Sequence, residues 1–421
     1  MDENMEALLQ YLALFVYFYP LVMSIIWTSG GLLFFITREW KERETPSDSC
    51  PPVTILMAAH NEEKVIGSTV SHLFQLDYPC YEVIVVDDGS TDNTAAILRE
   101  MAAAEPRLRL VRLLNNMGKA VALNAGVRAA RHEIIVTIDA DSYLDKEALR
   151  WLVRHFTRNP RTGAVTGNPR VLNRTSLLAR IQTAEYSSII GMIKRTQSIW
   201  GRLMTVSGVL AAYRLAALVD VNFWSTDSVT EDIDITWKLQ RRSWEVHYEP
   251  RALVWVLVPE TLRGLWKQRL RWSRGGIEVL RKNYKIFKSL AQGFLWPLYL
   301  ESLASVCWAV LFLLLCFFWP VGSLVPAWPI KMTPLALWGG TVLLLICLLQ
   351  FAVAVCIDQR YDRALGRTYF SVIWYPVAYW LFNCLVTVCA LPRGLFCRLG
   401  CQVCAHWSSP DRGYITSGEL T

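Results

Sequence analysis

A chain of 421 residues can hold one sizeable core and several membrane spans. Hydrophobic residues make up 53% of it and Trp is frequent at 18, yet its middle is as charged as a cytosolic enzyme, so the chain is a hybrid of soluble and membrane parts. The net charge of +7 is modest, and the basic residues gather at Arg38 to Arg43 and Arg263 to Lys288, beside apolar runs; this favours membrane phosphates and an anionic nucleotide over nucleic acid.

Residues 1–37 read as an N-terminal transmembrane helix. The start carries no basic residue and leads into an uncharged run from about Ala7 to Thr37, longer than the apolar part of a cleaved signal peptide, so the segment is expected to stay as one long anchor kinked at Pro20. Arg38, Lys41 and Arg43 follow directly and place the next domain on the cytoplasmic side.

Residues 38–259 alternate strand and helix patterns. Val53 to Ala58, Tyr81 to Val86, Leu108 to Leu113 and Ile134 to Ile138 read as strands; Val65 to Leu76, Thr94 to Ala104 and Lys119 to Ala130 read as helices between them. Such alternation predicts right-handed βαβ units, a Rossmann-like α/β fold on a mostly parallel sheet, with ligands at the carboxyl ends of the strands.

Residues 260–293 should lie on the membrane surface. Read as a helix, Leu265 to Gly276 puts Gln268, Arg271 and Trp272 on one face, where a guanidinium can grip a diphosphate and an indole can stack on a sugar. Lys267, Arg269 and Arg274, with apolar Leu265, Trp266 and Leu270, make up the other faces of a basic interfacial helix. Residues 294–392 contain three apolar runs, about Phe294 to Val321, Leu335 to Ile357 and Tyr369 to Leu391, each long enough to span. Arg360, Arg363 and Arg367 favour a cytoplasmic loop after the second, while Arg393, Arg398 and Arg412 pull the tail to the same side; a re-entrant stretch near Pro329 or Pro376 would reconcile the count.

Most cysteines are isolated or sit within the apolar runs as small hydrophobes, so no disulfide framework is indicated. In the tail, residues 393–421, Cys397, Cys401, Cys404 and His406 number four potential metal ligands, but their spacing is not an attested zinc pattern, and juxtamembrane thiols without a role are the simpler reading.

The polar residues at the strand ends carry the chemistry. The first strand ends in Ala59-His60-Asn61-Glu62-Glu63 and the second in Asp87-Asp88-Gly89-Ser90, groups able to accept hydrogen bonds from a nucleoside or simply to form turns and caps. Asn116 to Lys119 opens a helix whose free N–H groups and lysine can meet a phosphate. Asp139-Ala140-Asp141 follows the fourth strand and offers two hard oxygens to Mg²⁺ or Mn²⁺ shared with a diphosphate. Thr230-Glu231-Asp232 opens another helical pattern, either as N-cap and first-turn acids or with Asp232 as a general base.

Their order along the chain resembles the processive family 2 glycosyltransferases, the group of cellulose, chitin and hyaluronan synthases. More closely, it resembles the branch making β-1,6-linked poly-N-acetyl-D-glucosamine, in Val165 to Arg170, Glu185 to Gly191, Thr205 to Gly208, Thr230 to Ile235, Tyr248 to Ala252, Gly264 to Trp272 and Trp407 to Gly413. The resemblance implies a GT-A catalytic domain, UDP-N-acetylglucosamine as donor, inversion at C1, and export of the growing polysaccharide through the chain's own helices. It implies that Asn61, Glu62, Asp87, Asp88, Lys119 and Asp139 bind the nucleotide sugar, with Asp139 and Asp141 on the metal and Asp232, flanked by Glu231 and Thr230, as base. Gln268, Arg271 and Trp272 would bind the diphosphate and acceptor. A small membrane partner and activation by cyclic diguanylate are implied as well. Two departures stand out: Ala140 replaces a more familiar Gly, and a further N-terminal hydrophobic segment known in relatives has no counterpart here. Rival readings are a synthase of hyaluronan, chitin or a glucan, and a catalytically idle membrane scaffold or transporter subunit; so many carboxylates at strand ends speak against the second.

Overall fold

The computed structural model describes residues 3–40, 49–324 and 336–396. They form two compact units: Arg38–Gln182 with Gln197–Gln268 make one, and the described residues up to Thr37, Thr183–Thr196 and those from Arg269 onward make the other.

The chain begins with α1, Glu3–Phe34, which contains Pro20 and continues into a π-helical turn, Phe35–Trp40. In the α/β unit, β1 (Val53–Ala59), α2 (Ile66–Leu73), β2 (Tyr81–Asp88), α3 (Thr94–Ala104), β3 (Leu108–Leu113), α4 (Lys119–Ala129) and β4 (Ile134–Asp139) reproduce the expected alternation. β1 and β2 bury every residue, as strands covered on both faces require. Gly126 lets α4 close on the sheet, because a Cβ there would meet the side chains of Leu56 and Val86.

There follow β5 (Ser142–Leu144), α5 (Ala148–Arg158), β6 (Thr162–Val171), α6 (Leu177–Glu185), a π-helical turn (Tyr186–Gly191), α7 (Met192–Ile199), β7 (Leu210–Arg214), α8 (Leu215–Asp220), α9 (Glu231–Arg241) and β8 (Glu245–Val256). All the strands join one sheet in the order β3-β2-β1-β4-β7-β6-β8-β5. The sheet is mostly parallel: only β7 and β5 run against the others. At one edge β3 carries Arg109 and Arg112, and charges of that kind discourage further pairing. Ala59 pairs with Asp87 and Ala58 with Asp139, so β2, β1 and β4 end level and present their acids along one edge.

α10 (Leu262–Asn283), α11 (Trp296–Leu324), α12 (Ala336–Asp358) and α13 (Trp380–Phe396) complete the described chain. Among the described residues, three helical stretches are long and apolar enough to cross a membrane: Gln10–Trp40, Leu290–Phe318 and Gly340–Asp358. The run expected as a span from Tyr369 to Leu391 is divided instead into a 3₁₀ stretch, Leu365–Trp374, a π-helical turn, Tyr375–Tyr379, and α13. Pro376 lacks the N–H that a continuous helix needs, and the 17 residues of α13 fall short of the about 20 required to span. Pro329 and the tail cluster of Cys397, Cys401, Cys404 and His406 lie outside the described residues.

Within the helical unit, Thr183–Thr196 is held by polar bonds. Arg195 Nη2 lies 2.8 Å from Asp358 Oδ1 with both side chains fully buried, and Thr196 Oγ1 donates to Trp27 O at 2.8 Å.

Candidate active site

At the end of β2 the two acids are turned inward. Both are fully buried; Asp88 accepts the N–H groups of Met117 and Gly118, each at 2.8 Å, and Asp87 accepts that of Ser90 at 3.0 Å and faces Arg112 Nε at 3.3 Å. The N–H groups ahead of α4 that were expected to be open to a phosphate are therefore taken, at Met117 and Gly118, by Asp88. Gly89 makes the turn possible: its φ is +65°, and a Cβ would strike the backbone of Asn115 and Asn116. Asn61 joins the same loop, its N–H donating to Ser90 Oγ at 3.0 Å and its Oδ1 accepting from Thr91 N at 2.8 Å, while the N–H of buried Glu62 donates to Thr94 Oγ1 at 2.8 Å.

A tighter cluster forms at the end of β4. Lys119, first residue of α4, places Nζ 2.5 Å from Asp139 Oδ1 and 3.0 Å from Glu231 Oε1, at the start of α9. Burial alone would push this ammonium down, but the two carboxylates outweigh it and hold Lys119 above the ordinary lysine range. β7 enters antiparallel beside β4 and brings Gly208 to the same spot: a Cβ on Gly208 would sit 3.3 Å from Asp232 Oδ2 and 3.5 Å from Lys119 Nζ. Lys119 from α4, Asp139 from β4, and Glu231 and Asp232 from α9 thus converge. Thr230 occupies the N-cap position of α9, but its hydroxyl makes no capping bond and is buried without a hydrogen-bond partner among the described residues. Asp141 follows in the turn after β4 and is 6% exposed.

Sequence reasoning singled out Gly208 only as the end of the Thr205 to Gly208 segment and gave it no role, and it missed a second part of this frame. Asn124, one turn along α4, holds the loop before α9 by donating to Trp224 O at 2.9 Å and accepting from Trp224 N at 3.1 Å, a pairing with no sequence signal.

On α10, Gln268 and Trp272 are half-buried and Arg271 is exposed. Arg269, expected on a basic surface face, is instead buried: its Nη2 lies 2.6 Å from Glu185 Oε2, and that ion pair explains why it is withdrawn from the surface.

Among the described residues no three His, Cys, Asp or Glu side chains converge as a metal cluster. The pair that the Lys119 ammonium bridges is nevertheless a cation niche made only of hard oxygens, and that donor chemistry suits Mg²⁺ or Mn²⁺.

Acids level at the carboxyl edge of a mostly parallel α/β sheet form a site of the kind that binds nucleotides, and the fold is of the GT-A type. The profile described as "Glycosyltransferase like family 2" matches residues 51–275, and the chain belongs to that family and is a glycosyltransferase. Over 410 residues it is 39% identical to the poly-β-1,6-N-acetyl-D-glucosamine synthase of Staphylococcus epidermidis, covering 95% of this chain and 98% of that one. It is equally similar, 39% over 406 residues with the same coverages, to the synthase of that name from Staphylococcus aureus. Coverage of 98% leaves no room in these relatives for a further N-terminal span, so the segment expected to be missing here is not a difference from them. A solved structure with the same fold is a mannosyltransferase from Pyrobaculum calidifontis in complex with GDP-Man and Mn²⁺, at TM-score 0.58 and 21% identity, covering 90% of this chain and 99% of that one.

Proposed function

We propose that this chain polymerises N-acetylglucosamine from UDP-N-acetylglucosamine into a β-1,6-linked polymer, processively and with inversion, and passes it through its own membrane helices to a biofilm matrix. The observation that carries the reading is the convergence of Asp139, Glu231, Asp232 and Lys119 at the carboxyl edge of the sheet, in a chain 39% identical nearly end to end to synthases of that polymer.

In this reading Asp232 takes the proton of the acceptor hydroxyl as that oxygen attacks C1, and UDP departs with the bonding electrons from the opposite face, so one displacement inverts the centre. A positioned base of this kind is worth on the order of 10²- to 10⁴-fold. Glu231 and Thr230 fix the turn that aims Asp232. Asn61, Glu62, Asp87 and Asp88 shape the nucleoside pocket, Asp88 chiefly by holding its loop, since both of its oxygens are engaged by backbone N–H groups, whereas Asp87 gives only Oδ1 to the backbone. Asp139 and Asp141 would hold Mg²⁺ or Mn²⁺, which when bound neutralises charge on the diphosphate. Lys119 moves between the carboxylates and the phosphates, and Gln268 and Arg271 bind the diphosphate while Trp272 stacks on the acceptor sugar.

The same reading makes residues 38–259 a cytoplasmic catalytic domain of a multi-pass protein of the bacterial inner membrane, with residues 260–293 interfacial and 294–392 forming the channel. The three apolar stretches support it. A small accessory subunit and cyclic diguanylate are expected to act on the complex, and nucleic acid is not. The test is to give membranes containing the protein radiolabelled UDP-N-acetylglucosamine and Mg²⁺, with and without a candidate subunit and cyclic diguanylate, then treat any product with a β-1,6-specific hexosaminidase. Polymer degraded by that enzyme supports the full reading. Resistant polymer redirects the product to hyaluronan, chitin or glucan chemistry, and no polymer under any condition overturns the activity.

A further inference from the structure

Arg269 has no part in the chemistry above, yet its guanidinium is held on several sides. It is 8% exposed, and its Nη2 both pairs with Glu185 Oε2 at 2.6 Å and donates to the Tyr379 hydroxyl at 3.3 Å. That hydroxyl donates in turn to the same Glu185 oxygen at 3.0 Å, closing a three-membered ring of bonds with Glu185 only 5% exposed. The guanidinium carbon also lies 4.2 Å from the ring centroid of Trp272, three residues on and on the same helical face. No other ring or cation among the described residues contacts that indole.

Both anchors sit at irregular turns. Glu185 is the last residue of α6, at the entry to the π-helical turn Tyr186–Gly191, and Tyr379 is the last residue of the π-helical turn Tyr375–Tyr379. Tyr379 is held by stacking on Tyr375 at 4.9 Å and 24°, and Tyr375 packs on Phe351 at 4.7 Å. π-Helical turns recur at functional sites because the extra residue re-aims a side chain. Burying a charged pair is costly, and apolar residues of similar size usually stabilise as well or better, so stability alone gives little reason for this ion pair. What it does supply is orientation: a planar guanidinium can use its edge for Glu185 and Tyr379 and its face for an indole at once, which an ammonium cannot.

We propose that Arg269, locked by Glu185 and Tyr379, is a positioning residue that fixes one face of Trp272 so that the opposite face receives the acceptor sugar. The proposal rests on the reading of Trp272 as the acceptor platform.

The experiment compares full-length Arg269→Lys, Glu185→Gln and Trp272→Ala proteins in detergent or membranes, measuring kcat and KM separately for UDP-N-acetylglucosamine and for added N-acetylglucosamine oligosaccharides. Arg269→Lys and Glu185→Gln should raise KM for the oligosaccharide at least tenfold and shorten the product, as Trp272→Ala does, with KM for UDP-N-acetylglucosamine within about twofold of the parent. A Glu185→Leu/Arg269→Met double variant should melt within a few degrees of the parent and still show the acceptor defect, which a merely structural pair would not. If Trp272→Ala spares acceptor use, the platform reading fails and the proposal with it. If Trp272→Ala impairs acceptor use but the double variant is folded with parental acceptor kinetics, the positioning role alone is overturned.

Discussion

Lys119 Nζ lies 2.5 Å from Asp139 Oδ1, and because the same ammonium reaches Glu231 Oε1 at 3.0 Å, one cation ties the end of β4 to the start of α9. Removing it leaves two carboxylates facing one another. Loss of one partner of a buried ion pair costs about 3–5 kcal/mol, and the partial exposure of Lys119 places the expected loss at the low end. Lys119→Gln should therefore melt below the parent in chelator and recover more than the parent when Mn²⁺ is added, by thermal denaturation in detergent. Equal responses to Mn²⁺ in the two proteins would show that Asp139, the carboxylate Lys119 shares with the proposed cation site, does not hold the cation.

Asp232 sits beside the lysine cluster, with Gly208 packed close against its carboxylate. Asp232→Asn keeps the shape and removes the base, so polymer synthesis should fall by on the order of 10²- to 10⁴-fold. UDP affinity, measured by calorimetry, should stay near the parental value. Synthesis above about a tenth of the parent would remove Asp232 from the role of base.

Gly208→Ala tests how tightly that corner is built. The added methyl would lie 3.3 Å from Asp232 Oδ2, closer than most such contacts, and at an ordinary 3.5 Å from Lys119 Nζ, so the carboxylate must shift by a few tenths of an ångström. Small displacements of reacting groups are expensive, and kcat should drop on the order of ten- to a hundredfold while the melting temperature stays within a few degrees. A parental kcat would mean that Asp232 tolerates relocation.

The first half of the sheet was legible because its strands are buried on both faces and read as unbroken apolar runs, as Val53–Ala59 and Tyr81–Asp88 do. β6 was not, since Thr162–Val171 contains two glycines, an asparagine, a proline and an arginine, which break the apolar run although every residue of the strand is buried. The membership of Thr183–Thr196 in the helical unit was equally hidden: Glu185 and Arg195 look like surface charges until Arg269 and Asp358 are brought to them. The acids of the site were visible at their strand ends, but the same sequence could not tell which face a nucleotide and which brace a loop. Asp87 and Asp88 look alike in sequence to Asp139 and Asp141, and only the backbone donors at Ser90, Met117 and Gly118 separate their duties.

That bracing duty makes a prediction for Asp88. Its two oxygens each hold one backbone N–H of the turn into α4, and hydrogen bonds to a charged group are worth about 1.5–3 kcal/mol each. Asp88→Ala should lower the melting temperature and weaken UDP binding together, whereas a residue that only touched the nucleobase would lose binding with stability intact. A variant of parental stability would return Asp88 to that simpler role.

The last prediction concerns acid. His247 on β8 stacks on His155 of α5, with ring centroids 5.2 Å apart and planes at 23°, and the two pair separately with Glu245 at 3.2 Å and Glu249 at 3.0 Å. Burial, and then the neighbouring His155 and Arg38, outweigh Glu245 and lower the His247 pKa from 6.5 to about 4. Between those values the unfolded chain binds a proton at His247 that the folded chain refuses, so stability rises with pH across the window. The contribution is complete above about pH 6.5 and is lost progressively as the pH falls toward about 4. Melting temperatures measured at half-unit steps should drop through that interval in the parent, and His247→Gln should flatten that part of the curve. Superimposable curves for the two proteins would place the acid sensitivity elsewhere.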